Sequence, residues 1–238
     1  MKESMSSRFT IILWDVDDTL LDFTYSQRHS MEKCFRAAGM EITEVQQRRY
    51  AEINDAWWKR LELGEVTKAQ LLTGRFVTFF QEFGIEGIDV ETFRQEYQAA
   101  LGSVFSFLDD SLTICRSLQG KVKQYVITNG VSSTQRNKLN LSGLADCMDG
   151  IFVSEEIGCP KPDIRFFEHC LEYIGEKDRE KILVVGESLT SDIKGGIGAG
   201  LHTCWYRRGR ILSPDALWKP EYEIDDLHEI YSIVGDRA

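Results

Sequence analysis

Residue types that would mark metal or redox chemistry are thin in this 238-residue chain. Its six cysteines form no C-x-x-C pair, and its four histidines, His29, His169, His202 and His228, are scattered with no ligand spacing. A zinc centre is therefore not expected. No apolar run reaches the roughly 18 residues of a membrane span. The N-terminal MKESMSSRFT has no apolar signal-peptide core. Thiols in such a chain are expected to be reduced, in a cytoplasmic setting. Cationic charge is short as well: 28 Lys and Arg against 38 Asp and Glu leave a formal net charge of −10. That balance argues against a nucleic-acid polymer, which needs a basic face. It leaves room for a small phosphorylated substrate, because one local cation can reverse the sign inside a site. Only four prolines occur, and there is no repeat or low-complexity tract.

The residues present are those of an ordinary folded protein, 42% hydrophobic and 28% charged. Five short apolar runs, 9–14, 122–128, 150–154, 181–186 and 201–206, are rich in β-branched and aromatic residues. Their apolarity is continuous rather than alternating, and helical patterns such as 163–174 and 191–199 lie between them. This predicts an α/β fold whose parallel sheet is covered on both faces.

One interval breaks the alternation. More than a hundred residues separate the first run from the second, where a βαβ crossover needs about thirty. The interval reads as four helices, 26–38, 45–63, 68–83 and 90–102, with Gly39, Gly64 and Gly84 where helices would end. The expected organisation is a core of residues 1–21 and 105–238 and a helical cap of residues 22–104. Ligands in open α/β sheets bind beyond the carboxyl ends of the strands, so an insert leaving the first strand there can act as a lid. The cap aromatics Trp57, Trp58, Phe76, Phe79 and Phe80 recur at helical spacing and are expected mainly in its core, with one or two facing the crevice.

The strand ends carry the chemistry. The stretch LWDVDDTLLDF places Asp15, Asp17 and Asp18 within four positions after the first run. The second run ends in Thr128-Asn129-Gly130, the fourth in Gly186-Glu187-Ser188 with Asp192 five residues past Glu187, and Lys161-Pro162 follows the third. Singly these are turn formers, helix caps or solvated loops. Jointly, a parallel sheet gathers them on one edge. Asp15, Glu187 and Asp192 would surround Mg²⁺, a hard ion that takes oxygen ligands, and the ion would offset their mutual repulsion. Asp15 would attack phosphorus and form an aspartyl-phosphate. Asp17 would protonate the leaving oxygen and then deprotonate water, once acidic neighbours raise its pKa. Thr128, Asn129 and Lys161 would hold the phosphoryl oxygens.

Asp15-x-Asp17-x-Thr19, Thr128-Asn129-Gly130, Lys161-Pro162 and the pair Gly186-Glu187 with Asp192 resemble, in order and across nearly the whole chain, the four motifs of the haloacid dehalogenase superfamily. The resemblance implies a Rossmann-like, doubly wound core with a helical cap between the first two motifs. It also implies Mg²⁺ bound by the Asp15 side chain, the Asp17 backbone carbonyl and the first acid of the fourth motif. LELGEVTKAQLLTGRF, ITNGVSSTQRNKL, FVSEEIGCPKPD and SDIKGGIGAGLHTCWYRRG further resemble the pyrimidine 5′-nucleotidase branch, which implies nucleoside monophosphates such as UMP and dTMP as substrates. Other readings are a phosphatase of another small metabolite, such as a sugar phosphate, a phosphomutase, and a non-catalytic binding protein. Hydrolytic dehalogenation is disfavoured, since it has no use for Asp17. Two departures stand out. Glu187 replaces the family's usual Asp, which is expected to alter metal affinity without abolishing it. Phe107-Leu108-Asp109-Asp110 replaces a common Pro-Gly and is expected to alter the hinge. The glycines from Gly195 to Gly200 lack dinucleotide-loop spacing and read as close helix packing, with Gly200 ending the helix.

Overall fold

A computed structural model describes residues 8–235; the stretch MKESMSS, read above for a signal peptide, lies outside them. The strands β1 (Ile11–Trp14), β2 (Lys123–Thr128), β3 (Gly150–Val153), β4 (Ile182–Gly186), β5 (His202–Tyr206) and β6 (Tyr222–Ile224) form one sheet in the order β3-β2-β1-β4-β5-β6. Every neighbouring pair is parallel, with Leu13 of β1 opposite Tyr125 and Val184. The chain winds outward from β1 to β3, then returns past β1 to build the other half. The carboxyl ends of β1, β2 and β4 therefore flank the point where strand order reverses, which is where such a sheet leaves a crevice.

Five strands match the expected apolar runs; β6 does not. It has three residues, including Glu223, at the sheet edge, too short and too polar to stand out in the sequence. Successive side chains along a strand point to opposite faces, and here both faces are buried. Ile12, Trp14, Val126 and Val185 join one apolar cluster, and Leu13, Tyr125, Ile127 and Val184 join another. This is why the runs are continuous in sequence. Around the sheet lie α5 (Ser111–Leu118), α6 (Ser132–Ser142), α7 (Ser154–Ile157), α8 (Ile164–Ile174), α9 (Lys194–Gly198) and α10 (Ile230–Val234).

The insert consists of α1 (Phe23–Ala37), α2 (Glu44–Glu62), α3 (Lys68–Phe83) and α4 (Val90–Leu101). Thr43 with Gln46 and Thr67 with Gln70 form capping boxes that start α2 and α3. The four helices share a third apolar cluster, in which Phe35, Tyr50, Phe76, Phe79, Phe93 and Tyr97 are nearly inaccessible. Phe76 and Phe79 are thus core residues, as their spacing suggests, and Trp58 lines the crevice instead. The two chain crossings into the insert run side by side: Asp22 N donates to Ser106 O at 2.9 Å, and Leu108 N to Leu20 O at 3.1 Å. The unusual hinge acids Asp109 and Asp110 have φ of 43° and 56°. Asp109 accepts from the Tyr206 hydroxyl at 2.6 Å and the Leu227 amide at 3.0 Å, so it ties the hinge to the sheet.

The helix expected over 191–199 begins as a π-type turn, Leu189–Ile193, and continues as α9. A methyl group at Gly195 would strike the ring of Phe167, which has no accessible surface. The glycines therefore serve close packing. Among the described residues no helix is long and apolar enough to cross a membrane, and all six cysteines are free and buried. Gly195→Ala is expected to destabilise the fold by about 1–3 kcal/mol, the usual cost of overpacking. A lower denaturant midpoint at unchanged slope in chemical unfolding checks this.

Candidate active site

Asp15 continues β1 by one residue, its amide donating to Val185 O at 2.9 Å. The residue is 8% exposed. It accepts from the Thr19 hydroxyl at 2.9 Å and from Lys161 Nζ at 2.8 Å. The same ammonium donates to Asp192 Oδ1 at 2.6 Å and to Ile127 O at 2.9 Å. Three partners use all three of its protons. The backbone of Lys161 is held in turn by Asn129, whose side chain donates to Lys161 O and accepts from Lys161 N, each at 2.9 Å. Asn129 is therefore a clamp on the lysine loop, and it also lines the cavity. The Thr128 hydroxyl accepts from Gly130 N at 3.0 Å, which leaves its proton for the cavity.

Asp18 takes φ 58°, a left-handed conformation that Asp tolerates better than most residues. The Asp17 carboxylate accepts from Lys138 at 2.7 Å and Gln135 at 2.5 Å; both donors are nearly fully buried. Glu187 accepts from Arg210 at 2.6 Å, and Asp18 from Arg208 at 3.1 Å. Asp192 is buried and accepts from Ser188 N at 3.1 Å, and a methyl at Gly186 would collide with its carboxylate. The sequence reading missed Gln135, Lys138, Arg208 and Arg210. Gln135 and Lys138 share one face of α6 three residues apart, which reads as an ordinary polar helix face, and the arginines sit in the RRGR run after β5, which is the one local signal.

Burial is the main force on these groups. It lifts Asp15 to about 7, with Asp192 and Asp17 adding repulsion and Lys161 opposing. It lifts Glu187 to about 7 against Arg210, with Asp15 and Asp18 adding to the rise. Asp18 rises to about 6 by burial and the charge of Asp17, against Arg208. Asp192 is also raised, by burial and Glu187 against Lys161. Burial pulls the Lys161 ammonium down, yet Asp15 and Asp192 hold it above its ordinary value.

These acids suit a hard divalent cation. They offer only oxygen donors, and burial pushes Asp15, Asp18, Glu187 and Asp192 up despite their cation partners. Their side chains are not gathered as a finished cage. Lys161 lies between Asp15 and Asp192, Glu187 is turned to Arg210, and among the described residues no three acidic, His or Cys groups converge on one point. Holding Mg²⁺ through Asp15, Glu187, Asp192 and the Asp17 carbonyl asks Glu187 to release Arg210.

Above the acids is a cavity of about 210 Å³, lined from the core by Asp15, Lys161 and Asp192 and from the cap by Asn54, Asp55 and Trp58. A larger cleft of about 570 Å³ borders Thr10 and Lys123. It opens at the amino ends of the strands and holds none of this chemistry. The turn between α2 and α3 docks the cap on the site. Lys68 Nζ donates to Asn129 O and Gly130 O, each at 2.7 Å, and the Thr190 hydroxyl to Glu62 at 2.9 Å.

A crevice of clustered carboxylates at the switch point of a parallel sheet, roofed by helices, places the chain in the Rossmann-like class with its ligand site at the strand ends. The haloacid dehalogenase-like hydrolase family matches residues 9–200. The structure of the HAD-hydrolase YfnB of Bacillus subtilis, bound to magnesium and described as revealing interdomain movement, superposes with a TM-score of 0.88 at 35% identity, covering 96% of this chain and 99% of that one. Pyrimidine 5′-nucleotidase YjjG of Escherichia coli is 30% identical over 94% of this chain and 96% of its own length. Pyrimidine 5′-nucleotidase PynA of Streptococcus pneumoniae is 33% identical over 91% of each. The chain belongs to the haloacid dehalogenase-like hydrolase family and is an enzyme.

Two expectations follow. Lys161→Met should cost about 3–5 kcal/mol, because two buried carboxylates lose their only shared cation; chemical unfolding at neutral pH measures it. The second concerns pH. Asp15 and Glu187 titrate near 7 when folded, against about 4 when unfolded. Stability from these groups is full below about pH 4 and is lost as pH rises through about 7. Mg²⁺ should reverse that loss, so the gap in thermal midpoint between Mg²⁺ and chelator should widen from pH 5.5 to pH 8. A gap that stays constant would contradict this.

Proposed function

We propose that the enzyme is a Mg²⁺-dependent phosphomonoester hydrolase that works through an aspartyl-phosphate on Asp15, with pyrimidine nucleoside monophosphates as substrates. The observation that carries this reading is the setting of Asp15. It is a buried carboxylate at the end of β1, oriented by Thr19 and Lys161 at the floor of the cavity, with a second carboxylate two residues on. Two relatives that span more than nine-tenths of the chain are pyrimidine 5′-nucleotidases, and the YfnB structure bound to magnesium supports the choice of metal.

The Asp15 carboxylate attacks phosphorus as the ester P–O bond breaks, and Asp17 gives a proton to the departing oxygen. Water then attacks the phosphorus of the acyl phosphate while Asp17 takes its proton, which releases phosphate and restores Asp15. The Thr128 hydroxyl, and Lys161 once one of its three present partners is released, would hold the phosphoryl oxygens, and Asn129 keeps Lys161 in place. Lys138 and Gln135 fix the Asp17 carboxylate so that it meets the leaving oxygen from one side. Bound Mg²⁺ would neutralise the approach of a dianion to an aspartate. Six buried, unpaired thiols suit a reducing, cytoplasmic setting.

Phosphate release should be Mg²⁺-dependent and concentrated on UMP, dUMP and dTMP in a panel that includes purine monophosphates, sugar phosphates and p-nitrophenyl phosphate. Asp15→Asn should be inactive. Asp17→Asn should slow UMP turnover by roughly 10²–10⁴-fold, the usual share of acid–base catalysis. With p-nitrophenyl phosphate, whose leaving group needs no proton, it should give a burst followed by slow hydrolysis. Full activity of Asp15→Asn would refute the mechanism, and turnover concentrated on sugar phosphates would refute the substrate class.

A further inference from the structure

Arg75, on α3, is 1% exposed and makes no ion pair among the described residues. Its Nε and Nη2 have no partner, and the rings of Phe76 and Tyr97 lie 4.9 and 5.2 Å from its guanidinium carbon. A lone guanidinium in an aromatic core is strongly unfavourable, so something must offset it. Its hydrogen bond is a single one, from Nη1 to Asn54 Oδ1 at 2.7 Å.

That bond settles how Asn54 is oriented. Guanidinium only donates, so the amide oxygen of Asn54 faces Arg75 and the NH₂ group is turned away from it. Asn54 is on the wall of the catalytic cavity, next to Asp55 and one helical turn before Trp58. Burial lifts the Asp55 carboxyl, and a hydrogen bond from Asn54 works against that rise, which agrees with the NH₂ group lying on that side. The cap wall therefore presents a donor, an acceptor and an aromatic plane above the phosphoryl site. A sugar phosphate has no flat face to match it. A uracil-type base has one, and its edge carries a carbonyl acceptor next to a ring N–H donor.

We propose that Asn54 and Asp55 determine specificity for the leaving group by reading this imide edge, the carbonyl through Asn54 Nδ2 and the ring N–H through Asp55, and that Arg75 is the positioning residue that keeps Asn54 turned toward the base. The inference rests on the phosphatase reading above and deepens it.

The test is steady-state kinetics with UMP, N3-methyl-UMP and ribose 5-phosphate, with thermal midpoints to confirm folding. Asn54→Leu should raise KM for UMP about tenfold with kcat little changed, as loss of one buried hydrogen bond predicts. KM for ribose 5-phosphate should move much less. N3-methyl-UMP should be a poorer substrate than UMP for the wild type, and Asp55→Asn should remove that difference. Arg75→Met should reproduce the KM effect, and Arg75→Lys, which keeps a donor for Asn54 Oδ1, should restore it. Equal losses on UMP and ribose 5-phosphate in Asn54→Leu would make the pair merely structural and overturn the proposal. UMP kinetics unchanged by Asn54→Leu would overturn it while leaving the nucleotidase reading intact. A wild type that prefers ribose 5-phosphate, or releases no phosphate at all, would overturn both.

Discussion

The Lys161 ammonium is the contact on which the site depends. Five acids, Asp15, Asp17, Asp18, Glu187 and Asp192, sit beyond the ends of parallel strands, where the sheet leaves a crevice. Lys161 holds two of them, and Lys138, Arg208 and Arg210 hold one each. With all five ionised, five acids against four cations leave one uncompensated negative charge. A phosphate dianion would add two more, and a divalent cation would bring the balance back to where it began. Burial lifts the carboxylate pKa values and the crowding of acids adds to the rise, and the proposed need for Mg²⁺ comes from the same crowded switch point.

How much of this could be read in the sequence depended on how local each signal was. The strand ends were legible because a run buried on both faces stays apolar until it stops, and the acid that follows is conspicuous. The helical cap was legible from its length, its glycine stops and its aromatic spacing. The partners were not. Lys138 and Gln135 meet Asp17 across more than a hundred residues of chain, and on α6 they look like polar residues of a solvated face. Asn129 was read as a phosphate contact, and what the sequence could not show is that its side chain also holds the backbone of Lys161. A motif specifies residue types at a spacing; it does not say which hydrogen bonds are already taken. The strand β6 went unread because three residues carry no period.

Core and cap are held together differently from the way each is held internally. The cap has its own aromatic cluster, the sheet has one on each face, and the contacts that dock the α2–α3 turn on the site are polar: Lys68 on two loop carbonyls and Glu62 on Thr190. Interfaces of this kind allow domains to move relative to one another. The cap wall of the cavity is thus carried by one packing unit on a polar latch, and the acids and Lys161 are carried by the sheet. On the proposed reading, substrate choice and chemistry fall on separate packing units, so either can change without repacking the other.

Glu187 shows how the fourth motif divides its charge. Gly186 leaves room for the Asp192 carboxylate, which turns inward to Lys161. Glu187, longer than aspartate by one methylene, turns outward to Arg210. The two pairs differ in strength. Lys161 and Asp192 are both nearly inaccessible, whereas the Arg210 side chain is 47% exposed. An ion pair open to solvent contributes little, while a buried one is costly to break. Exchanging Arg210 for a divalent cation at Glu187 therefore asks little of the fold, whereas displacing Lys161 would leave Asp15 and Asp192 to repel each other. The longer acid keeps the Arg210 side of the site adjustable and the Lys161 side fixed.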